Sequence, residues 1–119
     1  MKKRFLVEFG TGVDLHGGNV TKAAQKALRD AISHCCLTGL TEVAGVEDAV
    51  NTLTLEVRIA TPNKAALNVE EALKALPPYR NIKAEVVDGG MTVRGMHAPG
   101  LGEGDTITMV NAAITVCLG

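Results

Sequence analysis

The sequence has no tryptophan, one tyrosine and two phenylalanines in 119 residues. Single-stranded nucleic acid is commonly held by stacking bases on aromatic side chains, so Phe5, Phe9 and Tyr79 make a poor platform for it. An excess of one charge is missing as well. Twelve Lys and Arg face thirteen Asp and Glu, a formal net charge of -1, which gives no electrostatic case for nucleic acid or an anionic membrane. No apolar run approaches the ~20 residues of a membrane span. The opening Met-Lys-Lys-Arg leads into a short strand-like run, without the long apolar stretch or small-residue cleavage site of a signal peptide. Serine is nearly absent. Ser33 is the only one, which largely removes serine nucleophile chemistry and leaves Thr11 as the nearest substitute. Cysteine is odd in number, with Cys35, Cys36 and Cys117. A bridge between adjacent cysteines is strained, so reduced, packed thiols in a cytoplasmic protein are the simplest reading.

What is present suits one packed domain over residues 1–119. Apolar residues reach 46%, enough for a single core in a chain of this length. The hydrophobic period predicts a first strand over about Arg4–Phe9, then a glycine-rich loop. A helix follows over about Val20–Cys36, with Val20, Ala24, Ala27, Leu28, Ala31, Ile32 and Cys35 on one face. Asn19 or Thr21 can cap its start and Gly39 stops it. Leu53, Leu55, Val57 and Ile59 alternate with polar residues and predict a strand over about Thr52–Ala60. A short helix over about Val69–Leu76 has Asn68 as its cap and Pro77-Pro78 as its stop. A strand over Ile82–Val87 reaches "DGG", a hairpin-type turn into Met91–Arg94. A second glycine-rich loop, 95–105, precedes a long last strand, Thr106–Leu118. The order β-α-β-α-β-β predicts a two-layer α/β sandwich: one mixed sheet of four to five strands with two helices on one face. Both faces of the last strand are uncharged, and so short a chain cannot cover both. A partner subunit is the expected cover, making a homo-oligomer.

The stretch "FGTGVDLHGGN", residues 9–19, carries the clearest sign of a site. A loop running from a strand into a helix start collects free backbone amides, and the helix dipole favours negative charge there. Gly10 and Gly12 allow close approach or a positive φ. Thr11, Asn19, Lys22 and Arg94 are candidates to hold an anion or carbonyl ligand. The stretch is neither a nucleotide phosphate loop nor a dinucleotide fingerprint, since the Gly-Lys-Ser/Thr ending and the third glycine are both missing. Asp14 and His16, two apart, are its only ionisable residues and the candidates for acid–base work. The alternative is that Asp14 caps local amides and His16 packs at a contact. His97, Glu103 and Asp105 in the second loop have no assigned role. No spacing matches a metal motif, so neither metal nor cofactor is expected.

"GTGVDLHGGNVTKAAQKALRDAIS", with "VVDGGMTVRG" and "MVNAAITV", resembles a small family of uncharacterised bacterial and plant proteins marked by a G-x-G-x-D-x-H-G motif. That resemblance spans essentially the whole chain. More distantly, the strand, glycine-rich loop and helix start are similar to one repeat of the ring-opening amidohydrolases of the cyanuric acid hydrolase and barbiturase group. Those proteins place three repeats around one site and use serine–lysine pairs. The resemblance implies three copies of this chain in a ring, so a trimer is the first choice, with a dimer or larger ring next. No serine lies in the later half of the chain, so only the architecture is implied.

Two function classes follow from these readings. One is an enzyme acting on a small cyclic amide, imide or related carbonyl compound at a subunit interface. The other is a non-catalytic small-molecule-binding or assembly protein.

Overall fold

The computed structural model describes residues 2–119. Its last strand, β5 (Thr106–Leu118), organises the sheet. On one side β5 pairs antiparallel with β1 (Lys3–Asp14), from Lys3 opposite Leu118 to Asp14 opposite Thr108. On the other side it pairs antiparallel with β2 (Thr54–Thr61). Beyond β2, the first part of β5 pairs with the short β4 (Met91–Arg94). β3 (Asn81–Asp88) runs parallel to β2 and closes the order β1-β5-β2-β3. The result is a mixed five-stranded sheet, as the sequence predicts.

One face of the sheet carries the helices. α1 (Val20–Ile32) buries Val20, Ala23, Ala24, Ala27, Leu28 and Ala31 against it. The short α4 (Val69–Leu73) packs beside α1. Both helices start on an asparagine, as expected: Asn19 Oδ1 accepts from the Lys22 amide at 3.0 Å and Asn68 Oδ1 from the Glu71 amide at 3.1 Å. Alternation places Val110, Ala112, Ile114 and Val116 of β5 in the core with Leu55, Val57 and Ile59 of β2. Phe5 interrupts the register between Arg4 and Leu6. This bulge turns Leu6 toward the core.

Several expectations need correction. β1 does not stop at Phe9 but continues through Gly10-Thr11-Gly12-Val13-Asp14. Helix α1 ends at Ile32, capped by Ser33, so Cys35 and Cys36 lie beyond it and are exposed rather than packed. Gly39 does not terminate α1. It belongs to α2 (Thr38–Glu42), which with α3 (Ala49–Thr52) fills a stretch where the hydrophobic period gives no element. "DGG" is not a hairpin, because β3 and β4 do not pair with one another. The Gly89 amide still bonds the Thr61 carbonyl of β2 at 3.2 Å, and then Gly90 turns at φ 66° against the Met109 carbonyl. The chain thereby shifts from pairing with β2 to pairing with β5.

Candidate functional site

Gly10 and Gly12 face α1. A Cβ on Gly10 would collide with the Ala27 carbonyl oxygen and the Ala31 amide, and one on Gly12 with the Ala23 carbonyl oxygen and the Ala27 amide. Neither glycine has a positive φ. The close approach predicted for them is therefore real, and the backbone they approach is that of the chain's own helix.

The true loop is short, Leu15–Asn19, and its turn is made by Gly17 at φ 99° and Gly18 at φ 63°. Asp14, the last residue of β1, is buried. Its Oδ2 accepts the Asn19 amide at 2.8 Å. A carboxylate thus already occupies the electropositive start of α1, where an anionic ligand would otherwise sit. Lys26 Nζ donates to the Val13 carbonyl at 3.0 Å and ties the end of β1 to the helix.

The second glycine-rich loop folds onto the first. A Cβ on Gly102 would come within 2.5 Å of the His16 carbonyl oxygen, and one on Gly17 within 3.4 Å of the Glu103 amide. The pairing of β1 with β5 carries both loops to one end of the sheet. His16 Nδ1 is enclosed there and has no hydrogen-bond partner among the described residues.

The other candidates are scattered. Thr11 donates its amide to Asp30 Oδ2 at 2.9 Å, and its Oγ accepts from Asn111 Nδ2 at 3.2 Å. Lys22 is exposed. Arg94 lies on β4, across β5 from β1, and pairs with Asp105 at 2.9 Å. Asp14, His16 and Asn19 share one corner; Gly10, Gly12, Thr11 and Arg94 do not join them in a single cluster. Among the described residues no group of three or more His, Cys, Asp or Glu is placed to hold a metal ion.

Two concavities lie elsewhere. A groove of about 520 Å³ runs along the helix-free face of the sheet, lined by Val7, Phe9, Arg58, Glu56, Lys83 and Glu85 among others. A cleft of about 400 Å³ opens on the helix side, between the end of α1, α2 and the sheet. Alternation in β1 is the one sequence signal that could have exposed the groove, since Val7 and Phe9 fall on the same side as Thr115 and Ala113.

A family model described as a conserved hypothetical protein family, Lin0512, matches residues 4–116. The chain belongs to that family. No curated protein matches it. Among solved structures it is similar to the crystal structure of an FtsZ-like protein of unknown function from Nostoc punctiforme. The two are 37% identical, with a TM-score of 0.87, over 98% of this chain and 96% of that one. The two chains thus match over nearly their whole lengths. No helix among the described residues is long and apolar enough to cross a membrane.

Proposed function

We propose that this Lin0512 family protein is a non-catalytic assembly protein that associates with copies of itself through the helix-free face of its sheet. The observation that carries this reading is Phe9, 73% exposed on the edge strand of that face. Val7, Met91 and Val93 are exposed too, and register places them on the same side, with Thr115, Met109 and Ile107 as their β5 partners. An aromatic and aliphatic strip of this kind marks an interaction surface in a soluble domain. The neighbouring strip carries both signs: Arg58 pairs with Glu85 at 3.1 Å and Glu56 with Lys2 at 2.7 Å. A face with an apolar strip beside a strip of both charges can meet its own copy apolar to apolar and plus to minus.

Light scattering at micromolar concentration tests this. A mass of two or more subunits is expected, and Phe9→Glu should shift it toward one subunit without loss of helical signal. A monomeric wild-type chain would overturn the reading. The subunit count also tests the trimer implied by the amidohydrolase resemblance.

A second reading, acid–base chemistry at Asp14 and His16 on a small cyclic amide or imide, is favoured by one observation. His16 Nδ1 is enclosed without a partner where the two loops meet, and a buried nitrogen of this kind gains from a donor or acceptor supplied by a ligand. Asp14, already bonded to Asn19, weighs against it.

A further inference from the structure

The helix-side cleft has the make-up of a small-molecule site, and it is independent of the self-association proposed above. Its cover is thin. α1 ends at Ile32, and α2 and α3 have five and four residues. Floor residues Leu55, Ile114 and Val116 belong to the core and are at most 3% exposed, while Ile32, Leu40 and Pro77 form part of the wall. An apolar cleft of about 400 Å³ is within the size range of small-ligand pockets, which pair an apolar lining with a few placed polar groups.

The charged groups here have one sign. Glu8 projects from β1 on the side of Leu6 and Gly10, the face that carries the helices. It is the one charged residue in β1 between Arg4 and Asp14. Glu47 is the second carboxylate of the lining, and the lining contains no Lys, Arg or His. Neither glutamate forms an ion pair among the described residues. Glu8 accepts a hydrogen bond from the Cys35 thiol at 2.8 Å. A carboxylate has about four acceptor positions, so one thiol leaves most of them open. The bond to Glu8, with that carboxylate's negative charge, raises the Cys35 pKa and keeps the thiol a donor.

We propose that this cleft binds a small organic amine: an apolar body of roughly six to eight carbons against the half-buried Ile32, Leu37 and Val46, above the floor of Leu55, Ile114 and Val116, with a single ammonium on Glu8. An anion would meet two uncompensated carboxylates. A wholly apolar molecule would leave the Glu8 carboxylate less solvated and unpaired, which is costly.

Tyr79 lines the same cleft, and it is the only tyrosine in a chain without tryptophan. Its fluorescence therefore reports on this site alone. The intact protein is titrated with cyclohexylmethylamine, cyclohexylmethanol and cyclohexanecarboxylate, followed by tyrosine fluorescence and in parallel by calorimetry. The amine should bind saturably, about tenfold or more tighter than the alcohol, as expected for a hydrogen bond between charged groups. The carboxylate should not bind. Glu8→Gln, nearly isosteric, should bring amine affinity down to that of the alcohol and leave the alcohol unchanged. Glu47→Gln should have a smaller effect in the same direction. Absence of saturable amine binding by both methods, or equal affinity for amine and alcohol in the wild type, overturns the proposal. So does an amine affinity that Glu8→Gln leaves intact.

Discussion

Gly12 lies so close to Ala23 that a Cβ on the glycine would overlap the Ala23 carbonyl oxygen, so strand and helix meet backbone to backbone. Gly10 makes the same approach one turn further along, at Ala27 and Ala31. The helix face that meets them is alanine-rich, with Ala23, Ala24, Ala27 and Ala31 all fully buried. Small residues on both partners allow the close packing, and neither side can grow without moving the other.

Gly12→Ala and Gly10→Ala should each destabilise the fold by about 3 kcal/mol, at the upper end for an overpacked core. Gly45→Ala is the control. It sits at φ 68° with nothing within 4 Å of the added carbon, so only left-handed strain of about 1 kcal/mol applies. Urea unfolding midpoints of the three variants should separate accordingly. A Gly12→Ala midpoint no lower than that of Gly45→Ala would contradict the close approach.

Much of the fold was legible because it rests on local periodicity. β5 has the predicted bounds, and α1 begins at Asn19, one of its two predicted caps. The end of β1 was not legible, because glycine is depleted in strands and "GTG" therefore reads as a loop. Its role depends on a helix eleven or more residues away, which no local pattern records. The turn at Gly89-Gly90 is of the same kind: a doubled glycine signals a change of direction, and the partner strand is a non-local fact. The meeting of the two loops follows from β1 and β5 being neighbours, a pairing that no local pattern records. The helix-side cleft could not be read, since it arises from what fails to cover the sheet.

The three thiols should differ in reactivity. Cys36 is exposed, whereas Cys117 is buried, and burial first, then its 3.3 Å bond to Glu56, raises its pKa. Cys35 is exposed but holds less thiolate because of Glu8. Alkylation by iodoacetamide near pH 8, followed by peptide mass spectrometry, should proceed in the order Cys36, Cys35, Cys117, because the thiolate is the nucleophile. Glu8→Gln should speed Cys35 severalfold and leave Cys36 and Cys117 alone. Equal rates at Cys35 and Cys36 in the wild type would count against the thiol–carboxylate bond.

Asp30 fastens the exposed edge of β1. The Thr11 amide bonded to its carboxylate, and secondarily His34 at 3.0 Å, hold its pKa below the ordinary 3.8. The folded value lies below the unfolded one. The bond therefore stabilises the fold above the ordinary carboxylate range, and its contribution fades as the pH falls through that range and below. Asp30→Asn should lower the denaturation midpoint at neutral pH, and the gap to wild type should narrow between about pH 5 and pH 3. A gap that stays constant with pH would mean the charge of Asp30 is not what matters.

Asp14 and His16 can be separated by one pair of variants. Asp14 is 7% exposed and bonds the Asn19 amide at the start of α1. Asp14→Asn keeps an acceptor but loses the charge that complements the helix dipole. A cost of about 1–2 kcal/mol is expected. His16 has no such duty: among the described residues its Nδ1 has no hydrogen-bond partner. His16→Ala relieves an unsatisfied buried nitrogen and should change stability little, or raise it slightly. Thermal unfolding of the two variants, with light scattering on each, reads both effects. A marked loss of stability in Asp14→Asn with unchanged assembly makes the aspartate part of the scaffold and leaves the acid–base reading without its carboxylate. If Asp14→Asn is as stable as wild type, the cap is dispensable, the charge is retained for something other than folding, and chemistry at this corner regains its claim.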